Sequence, residues 1–368
     1  MNNQDIHIGI VGAGNIGSTI YQLLTSIGNE YKVSIADLVE RKWDISENHY
    51  VRLQDTETSQ FDEFVSDKTL IINALPFHQN INLYKACQKS NVAYFDLSED
   101  DALDEYIADH LTNEESIPFT MPHCGLAPGM SSIVAFHLLK KMENPHKLKI
   151  RVGALSQNAS NKLRYYTPQG GDGLVNEYIG DCQVVRNGKN ITVDALTGYE
   201  RLVIDGQEYE AFNTSGGIGT LAKTIEVTWN PFETVPAIHA DYKTLNRVGH
   251  HDYVDFLFND LQLDQDTLTA IFKSCIPQTR KDVVIMYVSV GGIDTADDYI
   301  YYKEFQPLEI NGRFFTAIEY TTAIGLLSMV ELYLKKKLPQ TGYVRQEEAD
   351  WEDALKTMYG SYYRKEQR

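Results

Sequence analysis

Basic residues are in short supply in this 368-residue chain: 33 Lys and Arg stand against 51 Asp and Glu, a formal charge of −18 at pH 7. A field of that sign repels phosphate backbones and anionic lipid surfaces, so neither nucleic acid nor membrane is expected as a partner. Cysteine is scarce as well. Cys87, Cys124, Cys182 and Cys275 are too few and too scattered for a disulfide framework, and no CxxC pair suggests a zinc site. A reducing, cytoplasmic setting is the expectation. No long Gly, Ser or Pro tract interrupts the chain, and with 43% hydrophobic and 23% charged residues it has enough apolar side chains to bury real cores, which excludes disorder. Polar Asn2, Asn3, Gln4 and Asp5 run straight into an apolar strand, without a basic n-region or cleavable apolar stretch, so no export signal is expected. The longest apolar segment, 323–334, is broken by Glu331 and is shorter than a membrane span requires. It reads as a buried helix.

At roughly 100–200 residues per domain, the length suggests two domains, or one nucleotide-binding domain carrying a large insertion. The first third alternates short β-branched runs with helical patterns, the signature of βαβ units and a parallel sheet. Strands are expected at 6–11, 32–36, 49–53, 70–75, 92–96 and 118–121, and helices at 16–27, 80–90 and 101–110. After Pro122 the pattern changes. Strands at 149–155, 183–186, 191–195, 200–204, 224–229 and 283–291, with hairpin turns at Asn187-Gly188 and Asp205-Gly206, suggest an α+β domain on a mostly antiparallel or mixed sheet. Its helices are expected at 253–261, 265–273 and 316–335. The domain plan is therefore 1–122, then 123–340, then 341–368, whose helix at 347–358 is expected to pack back on the first domain.

After the first strand comes Gly12-Ala13-Gly14-Asn15-Ile16-Gly17, then a helix, then Asp37 at the end of the second strand, 20 positions beyond Gly17. This combination is the dinucleotide-binding fingerprint of a Rossmann doubly wound parallel sheet. Gly12 permits the tight turn, Gly14 lets backbone approach a pyrophosphate, and Gly17 lets the helix pack close to the sheet. The helix start at Asn15 and Ile16 offers free amides and a positive dipole end to an anion, which explains how so acidic a chain holds one. Asp37, followed by Leu38, is expected to accept from the adenosine ribose hydroxyls and to repel a 2′-phosphate. NAD is expected over NADP, with Arg41 and Lys42 leaving a dual preference open. The alternatives are a glycine turn that binds nothing, or one that binds another nucleotide such as FAD.

At His123-Cys124-Gly125-Leu126-Ala127-Pro128-Gly129-Met130-Ser131 the sequence resembles the saccharopine dehydrogenase-like family, in particular its lysine 6-dehydrogenase branch. The resemblance continues through Val175-Asn176-Glu177-Tyr178, Glu210-Ala211-Phe212-Asn213-Thr214-Ser215-Gly216-Gly217, Tyr242-Lys243-Thr244, Gly249-His250 and Phe315-Thr316-Ala317, and so spans nearly the whole chain. One departure stands out: Asn246-Arg247-Val248 occupies the place where the branch carries Arg-Tyr-Pro, so the arginine is displaced by one position. The resemblance implies an NAD-dependent enzyme that oxidises the side-chain amine of lysine to a semialdehyde, working as a homodimer or larger homo-oligomer. The rivals are an opine-type reductase, which joins an amine to a carbonyl compound, and a non-catalytic NAD-binding protein.

The reactive end of the cofactor lies beyond the C-terminal strand ends. There the sequence offers Asn73-Ala74-Leu75-Pro76, expected to contact the ribose through backbone, then Asp96-Leu97-Ser98, and His123-Cys124 leading to Pro128-Gly129. Asp96 is the choice for amine partner or proton acceptor, with a helix-capping role as the alternative. His123 and His250 are the acid/base candidates, and Cys124 is expected to line the pocket rather than attack. For the substrate carboxylate the choices are Lys243, Arg247 and Arg164, because guanidinium recognition is directional. Thr214 and Ser215, with Gly216 and Gly217, form a second glycine-rich turn expected to line the pocket. Glu177 and Glu210 are candidates for a distal substrate ammonium. No metal is expected: adjacent His250 and His251 rarely serve one ion, and no third ligand stands out.

Overall fold

The computed structural model describes residues 5–27, 31–40, 44–55, 57–99, 101–110, 117–167, 172–229, 237–293, 295 and 297–365. The chain divides into two compact units, one of residues up to Met130 with Glu309–Arg313 and Glu319–Arg364, the other of Ser131–Leu308 with Phe314–Ile318 and the last residues. Arg41, Lys42 and the first four residues lie outside the described residues.

In the first unit β1 (His7–Val11), α1 (Asn15–Ser26), β2 (Lys32–Asp37), β3 (Tyr50–Arg52), α2 (Thr58–Val65), β4 (Leu70–Asn73), α3 (Asn80–Ser90), β5 (Ala93–Asp96), α4 (Ala102–His110) and β6 (Thr120–Met121) follow one another. The sheet order is β3-β2-β1-β4-β5-β6, parallel throughout. This is the doubly wound fold expected, with its crevice where the order reverses between β1 and β4. Every position of β1, β4 and β5 is buried, as central parallel strands covered on both faces must be. Asn91, left-handed at φ 53°, closes α3 with its amide on Cys87 and Gln88.

The second unit contains α5 (Met130–Lys141, whose first residue belongs to the first unit), β7 (Pro145–Ser156), α6 (Asp172–Glu177), β8 (Asp181–Arg186), β9 (Lys189–Asp194), β10 (Glu200–Ile204), β11 (Gln207–Phe212), α7 (Leu221–Trp229), β12 (His239–Asn246), α8 (His251–Asp255), α9 (Gln265–Cys275), β13 (Asp282–Gly292) and β14 (Tyr299–Phe305). Its eight strands run β10-β11-β12-β7-β13-β14, with β8 on β12 and β9 on β8. The β12–β7 pair is parallel and the others antiparallel, so the sheet is mixed. Both expected hairpin turns form: Asn187-Gly188 and Asp205-Gly206 have positive φ at both central residues, the geometry that suits strand twist.

One expected strand is a helix. Segment 224–229 lies in α7, because Leu221, Ala222, Thr224 and Ile225 form a buried helical face while Val227 points outward. The β-branched residues that suggested a strand sit on both sides of that face. Three strands of this sheet, β11, β12 and β14, went unread. The sequence of β12 mixes polar and apolar residues, yet its last five positions are buried.

A two-stranded ribbon, β15 (Leu308–Ile310) and β16 (Arg313–Phe315), precedes α10 (Ala317–Leu334). By length and composition α10 is apolar enough to cross a membrane, at mean hydropathy 1.2, but its side chains are largely buried. It was expected with the second domain; instead its Tyr333 ring packs on Phe119 at 4.4 Å and Phe95 at 5.8 Å in the first unit. The segment that follows also belongs there. Gly342 accepts from the Thr120 amide and donates to Ile117, both at 2.9 Å, and Val344 donates to Thr120, so this stretch lines the β6 edge. The expected helix at 347–358 is shorter, α11 (Trp351–Lys356) after a 3₁₀ turn at Gln346–Glu348.

Candidate cofactor cradle and substrate-side residues

β1 ends at Val11, and the chain turns at Gly12 with φ +105°, a conformation that costs glycine little. A Cβ at Gly12 would fall 2.5 Å from the Ala74 carbonyl, and one at Gly17 would fall 1.8 Å from the Gly12 carbonyl. These two glycines are fixed by contact. Gly14 is different: nothing lies within 4 Å of where its Cβ would be. It caps α1 without a side-chain bond, and the first turn carries no acid, so the helix amides face that open space with their partial positive charge uncompensated. Asp37, at the end of β2, accepts from the Ala13 amide with Oδ2 and from the Val39 amide with Oδ1 at 3.2 Å. The carboxylate thus stands against the glycine loop, with exposed Leu38 beside it. This cradle fits a dinucleotide: open space at Gly14 and the amides of Asn15 and Ile16 suit a pyrophosphate, and Asp37 suits ribose hydroxyls.

The strand ends alongside are tied by a buried polar chain. Asn73 Nδ2 donates to Asn80 Oδ1 and to the Tyr94 hydroxyl, both at 2.8 Å, while its Oδ1 accepts from the Leu75 amide at 3.0 Å. Ala74 donates to Val11, and Leu75 and Pro76 continue outward at the crevice. Tyr94 donates to Asp96 Oδ2 at 3.0 Å; Asp96 Oδ1 accepts from the amides of Ser98 at 3.0 Å and His123 at 2.9 Å. Asp96 is 1% exposed. Burial raises its carboxyl above the usual range, with His123 and the donated hydrogen bonds opposing. Both oxygens accept hydrogen bonds, through which Asp96 ties the Leu97-Ser98 loop to the strand ends.

His123 is also sealed. Its Nδ1 bonds the Ser98 carbonyl at 2.7 Å and its Nε2 bonds Asp104 Oδ2 at 3.1 Å. A carbonyl and a carboxylate both accept, so these partners favour a ring that donates from both nitrogens, the imidazolium. Burial works against that charge, but the hydrogen bond and charge of Asp104, with Asp96 and Asp101, hold it at about 9. The ligand-type atoms of Asp101, Asp104 and His123 lie within 4.8 Å of one another. Cys124 donates from Sγ to the Met121 carbonyl at 3.2 Å and is 1% exposed; burial and Asp96 push its thiol well up. Its sulfur is thus a buried, protonated thiol. The following turn is closed on itself, with a cis Ala127-Pro128 bond and Met130 donating to Gly125. Pro128 and Gly129 are buried inside it, and are correspondingly poor candidates for direct cofactor contact.

In the second unit, His250 is fully buried between the Leu163 carbonyl on Nδ1, 2.7 Å, and the Tyr178 hydroxyl on Nε2, 2.9 Å. Burial pushes its imidazole down to about 4, the Leu163 bond opposing, which favours the neutral ring in this core position. Glu210 receives the amides of Gly249 at 2.7 Å and His251. It anchors the start of α8 and is not free for a substrate ammonium. Lys243 donates to the Gly198 carbonyl at 2.6 Å and lies 3.7 Å from Glu200; burial and Arg151 pull its ammonium down, with Asp241 and Glu200 opposing. Arg151, 1% exposed, pairs with Asp241 at 2.7 Å and with Glu200. Lys243 thus belongs to an ion network that explains the polar sequence of β12, and it too is spoken for.

The remaining candidates fall into two groups. Ser215 bonds Asn176 through its hydroxyl and Glu177 through its amide, both at 3.1 Å, and Thr214 pairs with Thr244 at 2.7 Å. Arg164 and Arg247 come together elsewhere, lining a cavity of about 350 Å³ with Gln157, Asn158, Ala159, Gln207, Glu208 and Val248. Sequence reading missed Tyr94, Asn80 and Asp104. Tyr94 alone carried a signal, two residues from Asp96 on β5 and so on the same face.

A parallel sheet with an anion-ready glycine loop, joined in sequence to a unit built on a mixed sheet, defines a two-unit dinucleotide-binding protein. Residues 8–118 match the saccharopine dehydrogenase NADP binding domain and residues 125–361 the saccharopine dehydrogenase C-terminal domain. The chain belongs to the saccharopine dehydrogenase family and is an oxidoreductase with an NAD(P)-binding domain. Among solved structures it is similar to saccharopine dehydrogenase (L-Glu forming) from Saccharomyces cerevisiae, at 12% identity and TM-score 0.72, covering 97% of this chain and 98% of that one. It is similar also to a homospermidine synthase from Legionella pneumophila in complex with NAD, at 12% identity and TM-score 0.69, covering 97% and 89%. An engineered D-amino acid dehydrogenase bound to NADP+ matches at 13% identity and TM-score 0.50, covering 96% of each chain.

Proposed function

We propose that this chain is an NAD-dependent oxidoreductase acting on the C–N bond of an amino acid, with the side-chain amine of lysine as the first substrate to test. The observation that carries the cofactor half is Asp37: its carboxylate, fixed against the Ala13 amide, puts a full negative charge where a 2′-phosphate would need a cation. The substrate half rests on the motifs from His123 to Gly217 shared with the lysine 6-dehydrogenase branch. When bound, the dinucleotide supplies the hydride acceptor. The protein's part is to hold the strand-end loops rigid through Asp96 and His123, and to receive the amine in its neutral form.

The test is NADH formation by the purified protein with NAD and a panel of amino acids and diamines that includes L-lysine, with NADP in parallel. Turnover with lysine supports the reading. Silence across the panel, with NAD binding demonstrated separately, sinks it. For the cofactor, Asp37→Ser is expected to lower kcat/KM for NAD at least tenfold and to shift the NAD-to-NADP ratio toward NADP; an unchanged ratio counts against the role given to Asp37.

A second reading, reductive joining of an amine to a carbonyl compound, is favoured by one observation: two arginines line a single cavity, as a multiply carboxylated product would require. Oxidation of NADH by an amine and an oxo acid supplied together, with neither active alone, would select it.

A further inference from the structure

We propose that Tyr94 is a positioning residue for the nicotinamide half of the dinucleotide, holding the loops that follow β4 and β5 in one register. Asn73 and Asp96 are register partners at the ends of β4 and β5, and two positions back Ile71 pairs with Tyr94. Side chains alternate along a strand, so these four lie on one face of the sheet. Tyr94 reaches along β5 and brings its hydroxyl between the two strand ends. There it accepts from Asn73 Nδ2 at 2.8 Å and donates to Asp96 Oδ2 at 3.0 Å.

Each bond fixes the next. Asn73 spends one Nδ2 hydrogen on Tyr94 and the other on Asn80 Oδ1, which turns its own Oδ1 to the Leu75 amide. A tyrosine has one hydrogen to give; it goes to Asp96, whose other oxygen holds the amides of Ser98 and His123. A single hydroxyl therefore links residues 73–75, residues 96–98 and His123, all at the C-terminal strand ends where doubly wound sheets bind their ligands. The glycine loop is held separately, by the bond from the Gly12 amide to the Ala36 carbonyl at 2.8 Å and by Asp37 on Ala13. Stability alone does not account for the chain of bonds. Asn73, Asn80, Tyr94 and Asp96 are each at most 2% exposed, and Asn80 Nδ2 has no hydrogen-bond partner among the described residues. A buried polar network with an unpaired member is worth less than apolar side chains of the same shape. What the polar chain supplies, and an apolar core does not, is direction at the loops.

This role rests on the NAD reading above and deepens it, and a comparison of two ligands separates their failures. Titration calorimetry of the full-length protein uses NAD and ADP, which shares the adenosine and the pyrophosphate but lacks the nicotinamide riboside. Tyr94→Phe removes the hydroxyl alone; it is expected to lower NAD affinity about tenfold, the worth of a hydrogen bond, while ADP affinity stays within about twofold. Asn80→Ala, which takes away the acceptor of the second Asn73 hydrogen, is expected to give the same split. Tyr84 is buried as fully as Tyr94 and packs on it ring to ring at 5.6 Å, and Tyr84→Phe is expected to change neither affinity. Retained ADP binding shows that the variants are folded. Where Tyr94→Phe yields no folded protein, Asn80→Ala decides. An equal loss for both ligands, no loss for either, or the same split in Tyr84→Phe overturns the proposal and leaves the NAD reading in place. Binding of neither ligand by the parent protein overturns both.

Discussion

Gly14 and Gly17 stand three residues apart, and an added methyl group meets opposite fates at the two. Gly14→Ala, with an ordinary φ of −64° and open space around it, is expected to leave the unfolding temperature unchanged while weakening NAD binding at least tenfold. Gly17→Ala would drive Cβ onto a backbone oxygen, and is expected to cost about 1–3 kcal/mol of stability as an overpacking lesion. Thermal unfolding together with NAD titration separates them. His123 sets a pH window. Its folded value of about 9 exceeds the ordinary imidazole value of 6.5, so its contribution is fully present below pH 6.5 and is lost as pH rises through about 9. Urea unfolding of the parent and His123→Asn is expected to show a gap at pH 6.5 that shrinks by pH 10; a gap independent of pH refutes the imidazolium. The glycine positions were legible because the fingerprint is local. Asp96, His123 and His250 were legible only as residues, not as roles: what commits them are partners such as Asp104, Ser98 and Leu163, brought in by folding from positions that sequence spacing does not reveal.

At the scale of elements, the helix α10 begins on an acid far away in sequence. Asp282, fully buried at the first residue of β13, accepts the amides of Ala317 at 2.8 Å and Ile318 at 2.9 Å. Loss of both bonds leaves helix donors without a partner in a buried place, so Asp282→Ala is expected to cost roughly 2 kcal/mol or more. Asp282→Asn, which keeps one acceptor, should cost less; equal losses in chemical unfolding would contradict the capping role. The same scale shows where sequence periodicity works. Strands buried on both faces, such as β1 and β4, announce themselves as apolar runs, and the positive-φ turns Asn187-Gly188 and Asp205-Gly206 mark the β8–β9 and β10–β11 hairpins. β12 does not, because its burial is made tolerable by ion pairs to other strands, and α7 misleads because β-branched residues occupy both its buried and exposed faces.

At the scale of the whole molecule, the parallel sheet is begun by the first residues and finished by some of the last. Its β6 edge is lined by residues 341–344 through the bonds between Ile117, Thr120, Gly342 and Val344. A chain ending at residue 340 would leave that edge unpaired, along with the loss of Trp351 and of Tyr363, whose hydroxyl bonds Thr321 at 2.8 Å. Such edges template association with other chains, so the shortened protein is expected to aggregate on expression and to sediment as polydisperse material where the full chain does not. The same arrangement has a consequence on the ribosome. Roughly 220 residues separate β6 from the segment that covers it, and at about 5–20 residues per second the nascent sheet waits some 10–40 s with its last edge bare. That interval makes the nascent first unit a client for a chaperone that binds extended edges, and makes slower translation through the second unit a hazard to yield.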